Sequence, residues 1–151
     1  MNRILRKNCL LDTNILIFVT DQNSPYHSEA LKIFDVIARG ELKAYVSTQN
    51  LLEYGAVLTR VYKVPQKEIA ADIQELLSDS YFTVIHPAEI AVSIFLDFMN
   101  KKTGTYIYDL YLIATAIVSN MDYIITDDRE LAKVKGIKIF NPFLPKNQQG
   151  G

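Results

Sequence analysis

The chain has 151 residues, 49% of them apolar and 22% charged, and its 16 basic and 17 acidic side chains leave a net charge of −1. This length and balance fit one globular domain and exclude a wholly disordered or fibrous chain. A single cysteine, Cys9, and two histidines, His27 and His86, exclude a disulfide framework, a cysteine-based zinc site and a histidine-rich metal centre, so any metal would be held by oxygen.

Arg3, Arg6 and Lys7 precede the apolar stretch Ile15 to Val19, an arrangement superficially like a secretory signal. Asp12 and Asn14 interrupt it, however, and no window approaches the roughly 18 apolar residues of a membrane span. The expectation is a soluble cytoplasmic protein without a membrane partner. Asn8 to Leu11 reads as a short buried strand, with Cys9 as a small buried hydrophobe. Pro25 to Arg39 reads as a helix with Ala30, Leu31, Phe34, Ile37 and Ala38 on one face and Gly40 just past its end. A second strand is expected at Ala44 to Val46. Ser47 then offers an N-cap for a helix to about Tyr62, striped by Leu51, Tyr54, Leu58 and Val61. Pro65 opens another helix, with Ile69, Ile73, Leu76 and Leu77 inward. Phe82 to Ile85 is a third strand. Pro87 starts a helix through Ala91, Ile94, Phe95 and Phe98, closed by Gly104. Tyr108 to Ser119 is helical, Tyr123 to Thr126 a fourth strand, Asp128 to Lys135 a short helix stopped by Gly136, and Ile137 to Phe140 a fifth strand. Residues 1–143 form the expected domain, and 144–151, ending in a polar run, a disordered tail.

Short apolar strands separated by helices predict an α/β fold with three layers. A central, mainly parallel five-stranded sheet is flanked by helices. In such sheets ligands sit beyond the carboxyl ends of the strands. Asp12 follows the first strand, and Asp127 and Asp128 follow the fourth, so all three fall on that edge. Glu53 lies beside Leu51 and Leu52 and can point back toward it; Asp109 sits at the start of the Ala- and Ile-rich helix. Singly, Asp12, Asp109 and Asp128 read equally well as helix caps, and Glu53 as a partner of Arg60 or an exposed charge. Four carboxylates on one edge would repel each other unless some are protonated or a cation compensates. The natural cation is Mg²⁺ or Mn²⁺, which prefer oxygen ligands.

Four segments together carry a resemblance. Cys9-Leu10-Leu11-Asp12-Thr13-Asn14-Ile15 resembles the opening motif of PIN-domain ribonucleases, and Ser47 to Glu53 resembles their second motif, a hydroxyl residue before a helix that carries an acid. The run from Tyr108 to Ala116 resembles the third, and Tyr123 to Asp128 the fourth, a strand ending in Thr-x-Asp. The order and spacing hold from about Asn8 to Pro142. The resemblance implies a metal-dependent endoribonuclease using Asp12, Glu53, Asp109 and Asp128. Asp12, Asp109 and Asp128 would hold the Mg²⁺ or Mn²⁺, and Thr13, Asn14, Thr126 and Asp127 would orient them. The Thr-Asp-Asp doublet favours Asp128 over Asp127 as the fourth acid. Many small members of similar length are VapC-type toxins, which implies an RNA substrate, a cognate antitoxin and a homodimer, with helices spanning Leu58 to Leu77 as the candidate contact.

Without the four proposed ligands, 13 acids stand against 16 bases. Lys101, Lys102 and Arg129 flank the acidic segments and are candidates for phosphate contacts. Tyr106, Tyr108 and Tyr111 either stack on bases or pack internally. His27 and His86 are read as structural or exposed. Other readings remain open at this point. One is an RNA-processing nuclease of the same family without an antitoxin. Another is a haloacid-dehalogenase-like phosphatase with Asp12 as nucleophile, although Asn14 stands where its second acid belongs. A third is a non-catalytic binding module. No Gly-x-Gly-x-x-Gly follows the first strand to support a dinucleotide site.

Overall fold

Successive side chains of a strand point to opposite faces, so continuously apolar strands need cover on both sides. The computed structural model, which describes residues 2–78, 81–101, 104–145 and 148, shows this arrangement. Five strands, β1 (Asn8–Leu11), β2 (Lys43–Ser47), β3 (Phe82–Ile85), β4 (Tyr123–Ile125) and β5 (Lys138–Phe140), form one sheet in the order β3-β2-β1-β4-β5. Every neighbouring pair is parallel. Cys9, Leu11, Ala44, Val46, Ile125 and Phe140 belong to one core, and Leu10, Ile124 and Ile139 to the other.

The first core is covered by α1 (Thr13–Thr20), α2 (His27–Ala38), α3 (Thr48–Arg60) and α4 (Gln66–Ser78). The second is covered by α5 (Glu89–Asn100) and α6 (Ile107–Val118). The expected three layers and five strands are therefore present. No helix among the described residues is long and apolar enough to cross a membrane.

The helices differ from expectation in instructive ways. Helix α1 has no counterpart among the sequence expectations, because it is buried at Thr13, Ile15, Leu16 and Ile17 and shows no polar face to mark a helical period. Helix α2 docks through Ala30, Ile33, Val36 and Ile37, whereas Leu31 and Ala38 are exposed; its apolar arc is wider than one stripe, and the sequence does not say which edge docks. Val61 lies one residue past α3 and is exposed, as is Leu77 at the end of α4, where Ile69 alone is fully buried. Helix α5 stops at Asn100 with Lys101 as its cap, ahead of Gly104. The helix expected from Asp128 to Lys135 is only a 3-10 turn, Leu131–Lys133, since Leu131 and Val134 are the segment's only core residues. Gly40 does follow the α2 cap at φ +68°, and Gly136 takes φ +124° before β5. Of the expected tail, residues 146, 147 and 149–151 lie outside the described residues.

Candidate active site

Strands β1 and β4 are adjacent, with Leu11 opposite Ile125, so the next residues, Asp12 and Thr126, leave the sheet side by side. This is also where the strand order switches, the sheet being extended from β1 through β2 to β3 on one side and through β4 to β5 on the other, all strands parallel. The Asp12 amide donates to the Ile125 carbonyl at 3.0 Å. Asp12 caps α1: its Oδ1 accepts from the Thr13 amide at 2.6 Å, and its Oδ2 accepts from the Thr126 hydroxyl at 2.7 Å. The Thr126 oxygen in turn accepts from Asn14 Nδ2 at 3.1 Å and from the Asp128 amide at 3.0 Å. A hydroxyl has one proton and two lone pairs, so Thr126 is saturated. Asn14 Nδ2 also donates to the Asp127 carboxylate, and Asn141 Nδ2 holds the Asp127 carbonyl at 2.8 Å.

Glu53 reaches the same edge through α3. Ser47 and Asn50 form a capping box: the Ser47 hydroxyl accepts from the Asn50 amide at 3.1 Å, and the Ser47 amide donates to Asn50 Oδ1 at 3.0 Å. Asn50 Nδ2 then donates to the Thr13 hydroxyl at 3.2 Å, which donates to Glu53 Oε2 at 2.9 Å. Gln49 Nε2 donates to Glu53 Oε1 at 2.6 Å and to the Tyr108 carbonyl at 3.1 Å. Glu53 is thus held by Thr13 and Gln49 rather than by Arg60. Asp109 lies in the first turn of α6 but does not cap it, the capping position being Tyr106.

Asp12, Glu53, Asp109, Asp127 and Asp128 all line one open cleft of about 1300 Å³, along with Thr13, Asn14, Arg60 and Arg129. Lys101 does not line it; its Nζ lies 5.8 Å from the Phe98 ring centre. Lys102 lies outside the described residues. Neither histidine lines the cleft: His86 is exposed, and His27 Nδ1 lies 2.9 Å from the Phe18 carbonyl.

Burial pushes the Asp12 carboxyl up to about 7; the bonds from Thr126 and Thr13 pull it down, and the charges of Asp109 and Glu53 push it up again. Burial, then Asp128, then Glu53 raise Asp109 to about 6. Asp127 is also raised, first by burial and then by Asp128. The carboxylate felt most strongly by Asp109 is therefore Asp128. Among the described residues no lysine or arginine forms an ion pair with any of these acids. Two buried amide oxygens beside them, Asn14 Oδ1 and Gln49 Oε1, have no hydrogen-bond donor among the described residues. Uncompensated negative charge and spare oxygen acceptors fit a hard divalent cation. The carboxylates share a cleft without closing on one point: among the described residues no three acidic, histidine or cysteine side chains stand as a group ready to hold a metal.

Gln49, Asn50, Arg60 and Asn141 take roles that the sequence expectations do not include. Asn50 stands three residues after Ser47, the spacing of a capping box, and Gln49 stands four before Glu53, the spacing of a helical pair, so both carry a readable signal. Asn141 carries none, because its contact depends on how β5 ends beside β4.

The structure is similar to that of Mycobacterium tuberculosis VapC20, a sarcin–ricin loop cleaving toxin, at a TM-score of 0.70 and 11% identity over 85% of this chain and 96% of that one. It is also similar to FitAcB from Neisseria gonorrhoeae, at a TM-score of 0.67 and 18% identity over 89% and 98%. A third is VapBC2 from Rickettsia felis, solved bound to a DNA fragment from its promoter, at a TM-score of 0.66 and 16% identity over 88% and 97%. No curated protein sequence matches this one. Residues 9–137, which carry all four acidic segments, match the PIN domain, and the chain belongs to that family.

Proposed function

We propose that the protein is a Mg²⁺- or Mn²⁺-dependent endoribonuclease and the toxin of a VapBC-like toxin–antitoxin pair, acting in the cytoplasm. The observation that carries this reading is the meeting of Asp12, Glu53, Asp109 and Asp128, from four separate segments, in one cleft where, among the described residues, no lysine or arginine forms an ion pair with them. PIN-family membership and the likeness to VapC and VapBC structures support it. Asp12, Asp109 and Asp128 would hold the ion, which when bound would offset phosphate charge and acidify nearby water. Glu53 is positioned by Thr13 and Gln49 to accept a proton from an attacking water. Thr126 and Asn14 keep Asp12 and Asp127 in place, Thr126 through its bond to Asp12 and Asn14 through its bond to Asp127. An antitoxin segment and a second copy of the chain are the proposed protein partners.

The phosphatase alternative asks Asp12 to attack phosphorus. The second acid that such chemistry uses is absent: Asn14 stands in its place and spends its amide on Thr126 and Asp127. The test is cleavage of RNA with Mg²⁺ or Mn²⁺, with and without EDTA, beside Asp12→Asn and Asp109→Asn. Loss of cleavage on chelation and in both variants is expected. Full cleavage by either variant would remove the proposal.

A further inference from the structure

We infer that Tyr106 and Tyr108 form a stacking platform that positions an unpaired base beside the cleft carboxylates. This rests on the nuclease reading above. Both tyrosines line the cleft, and they are 66% and 54% exposed. Their ring centres lie 5.5 Å apart at 39°, a tilted contact that leaves aromatic surface open on each. Tyr111 lines the same cleft but is half-buried and meets Phe95 edge-on at 5.6 Å and 83°, so it is wall rather than platform.

The platform is tied to the reacting groups. Tyr108 directly precedes Asp109, and the Gln49 amide that binds the Tyr108 carbonyl also binds Glu53. A base seated here would therefore lie next to the carboxylates. The charge of the cleft makes such an anchor necessary. Five carboxylates repel a phosphate chain, and the cations among the described lining residues are Arg60 and Arg129. Affinity must come from those two side chains, from a bound cation and from neutral contact area. Along α3 the cleft adds Leu52, Ala56 and Val57, with Leu52 76% exposed. Bases in a duplex keep their faces inside the stack, whereas unpaired bases offer them to aromatic rings. Stacking is tolerant of base identity, so the selectivity expected from Tyr106 and Tyr108 is for strandedness more than for sequence.

The chain contains no tryptophan. Tyr108→Trp therefore places a single indole on the platform and keeps an aromatic face, and its fluorescence reports stacking independently of cleavage. The probes are a short single-stranded RNA, the same strand in a duplex, and a strand of the same length abasic at every position. They are mixed in EDTA and, by stopped flow, in Mg²⁺. The single strand should quench the indole and the duplex should bind at least roughly tenfold more weakly, in line with one lost stacked base. The fully abasic strand should leave the indole unquenched. Tyr106→Ala with Tyr108→Ala should raise KM about tenfold, with an unchanged circular dichroism spectrum, and phenylalanine at both positions should restore it. If the double alanine variant cleaves with an unaltered KM, or the fully abasic strand quenches the indole as the intact strand does, the platform is wrong and the exposed rings serve a protein partner. If wild type neither binds nor cleaves any RNA, the nuclease reading falls and takes the platform with it.

Discussion

Replacing Asp12 by asparagine should stabilise the metal-free protein at alkaline pH while abolishing cleavage. In the fold the Asp12 carboxyl is pushed from 3.8 to about 7, chiefly by burial. A group whose folded pKa is raised holds its proton longer in the native state than in the unfolded chain. Its contribution is intact below pH 4 and drains away as pH climbs toward 8. Every tenfold gain in proton affinity on folding is worth ~1.4 kcal/mol, so the loss approaches about 4 kcal/mol. That is a large share of the roughly 5 to 15 kcal/mol that holds a domain together. Asparagine carries no charge, but it offers one acceptor where Asp12 offers two. Its amide would face a Thr126 oxygen whose lone pairs are both taken, at a cost of about 1 to 2 kcal/mol. The two stability–pH curves should therefore cross near pH 5: the variant is slightly weaker at pH 4 and about 2 to 3 kcal/mol stronger at pH 8. Urea unfolding followed by circular dichroism in EDTA measures this. Saturating Mn²⁺ should then rescue wild type at pH 8, by about 2.7 kcal/mol at a hundredfold excess over Kd, and the variant much less. Parallel curves would refute the argument, because they would mean that Asp12 gives up its proton as easily in the fold as in the open chain.

Four further outcomes are expected. Thr126→Val keeps the shape of the side chain but strands the Asp12 carboxylate and the Asp128 amide, so it should cost about 2 to 3 kcal/mol in chemical denaturation and depress RNA cleavage, while Thr126→Ser should retain both. Gly136→Ala would put a side chain at φ +124°, with its methyl 2.9 Å from Ile117 Cδ1, so its thermal midpoint should drop by several degrees, equivalent to about 1 to 3 kcal/mol; an unchanged midpoint would contradict the left-handed backbone there. Cys9 is buried, and burial with the nearby Asp122 pushes its thiol up to about 12, so a thiol reagent should label it only as fast as the protein unfolds. Arg129→Ala should weaken RNA binding at low salt and lower the log–log salt slope by about 0.7, the value for one single-strand phosphate contact; an unaltered slope would place Arg129 off the RNA path.

Much of the fold and site is legible in the sequence where burial is symmetric or spacing is local. The five strands stand out because each is a short apolar run between turn signals, and the parallel sheet follows from the helices between them. Asp12, Asp127 and Asp128 can be placed because a residue after a parallel strand must emerge at the sheet's carboxyl edge. Helix α1 is hidden for the reason that makes it important: Thr13 and its apolar neighbours are enclosed, so no polar face betrays a period. Lys101 looks useful because it lies shortly before Asp109 in the chain, but closeness along the chain does not set direction, and it sits instead over Phe98. Arg60 reads in the sequence only as a partner for Glu53, whereas α3 carries it into the cleft by itself.

The position of β5 carries a consequence for how the protein is made. The loop bearing Asp127 and Asp128 is anchored from its far side, by the Thr126 amide to the Phe140 carbonyl at 3.1 Å and by Asn141 to the Asp127 carbonyl. Those anchors follow all of the cleft acids in chain order. A growing polypeptide thus carries its first three acids long before the fourth can be fixed beside them. A polypeptide cut short before Phe140 and Asn141 therefore has no finished pocket, however many of the acids it already carries.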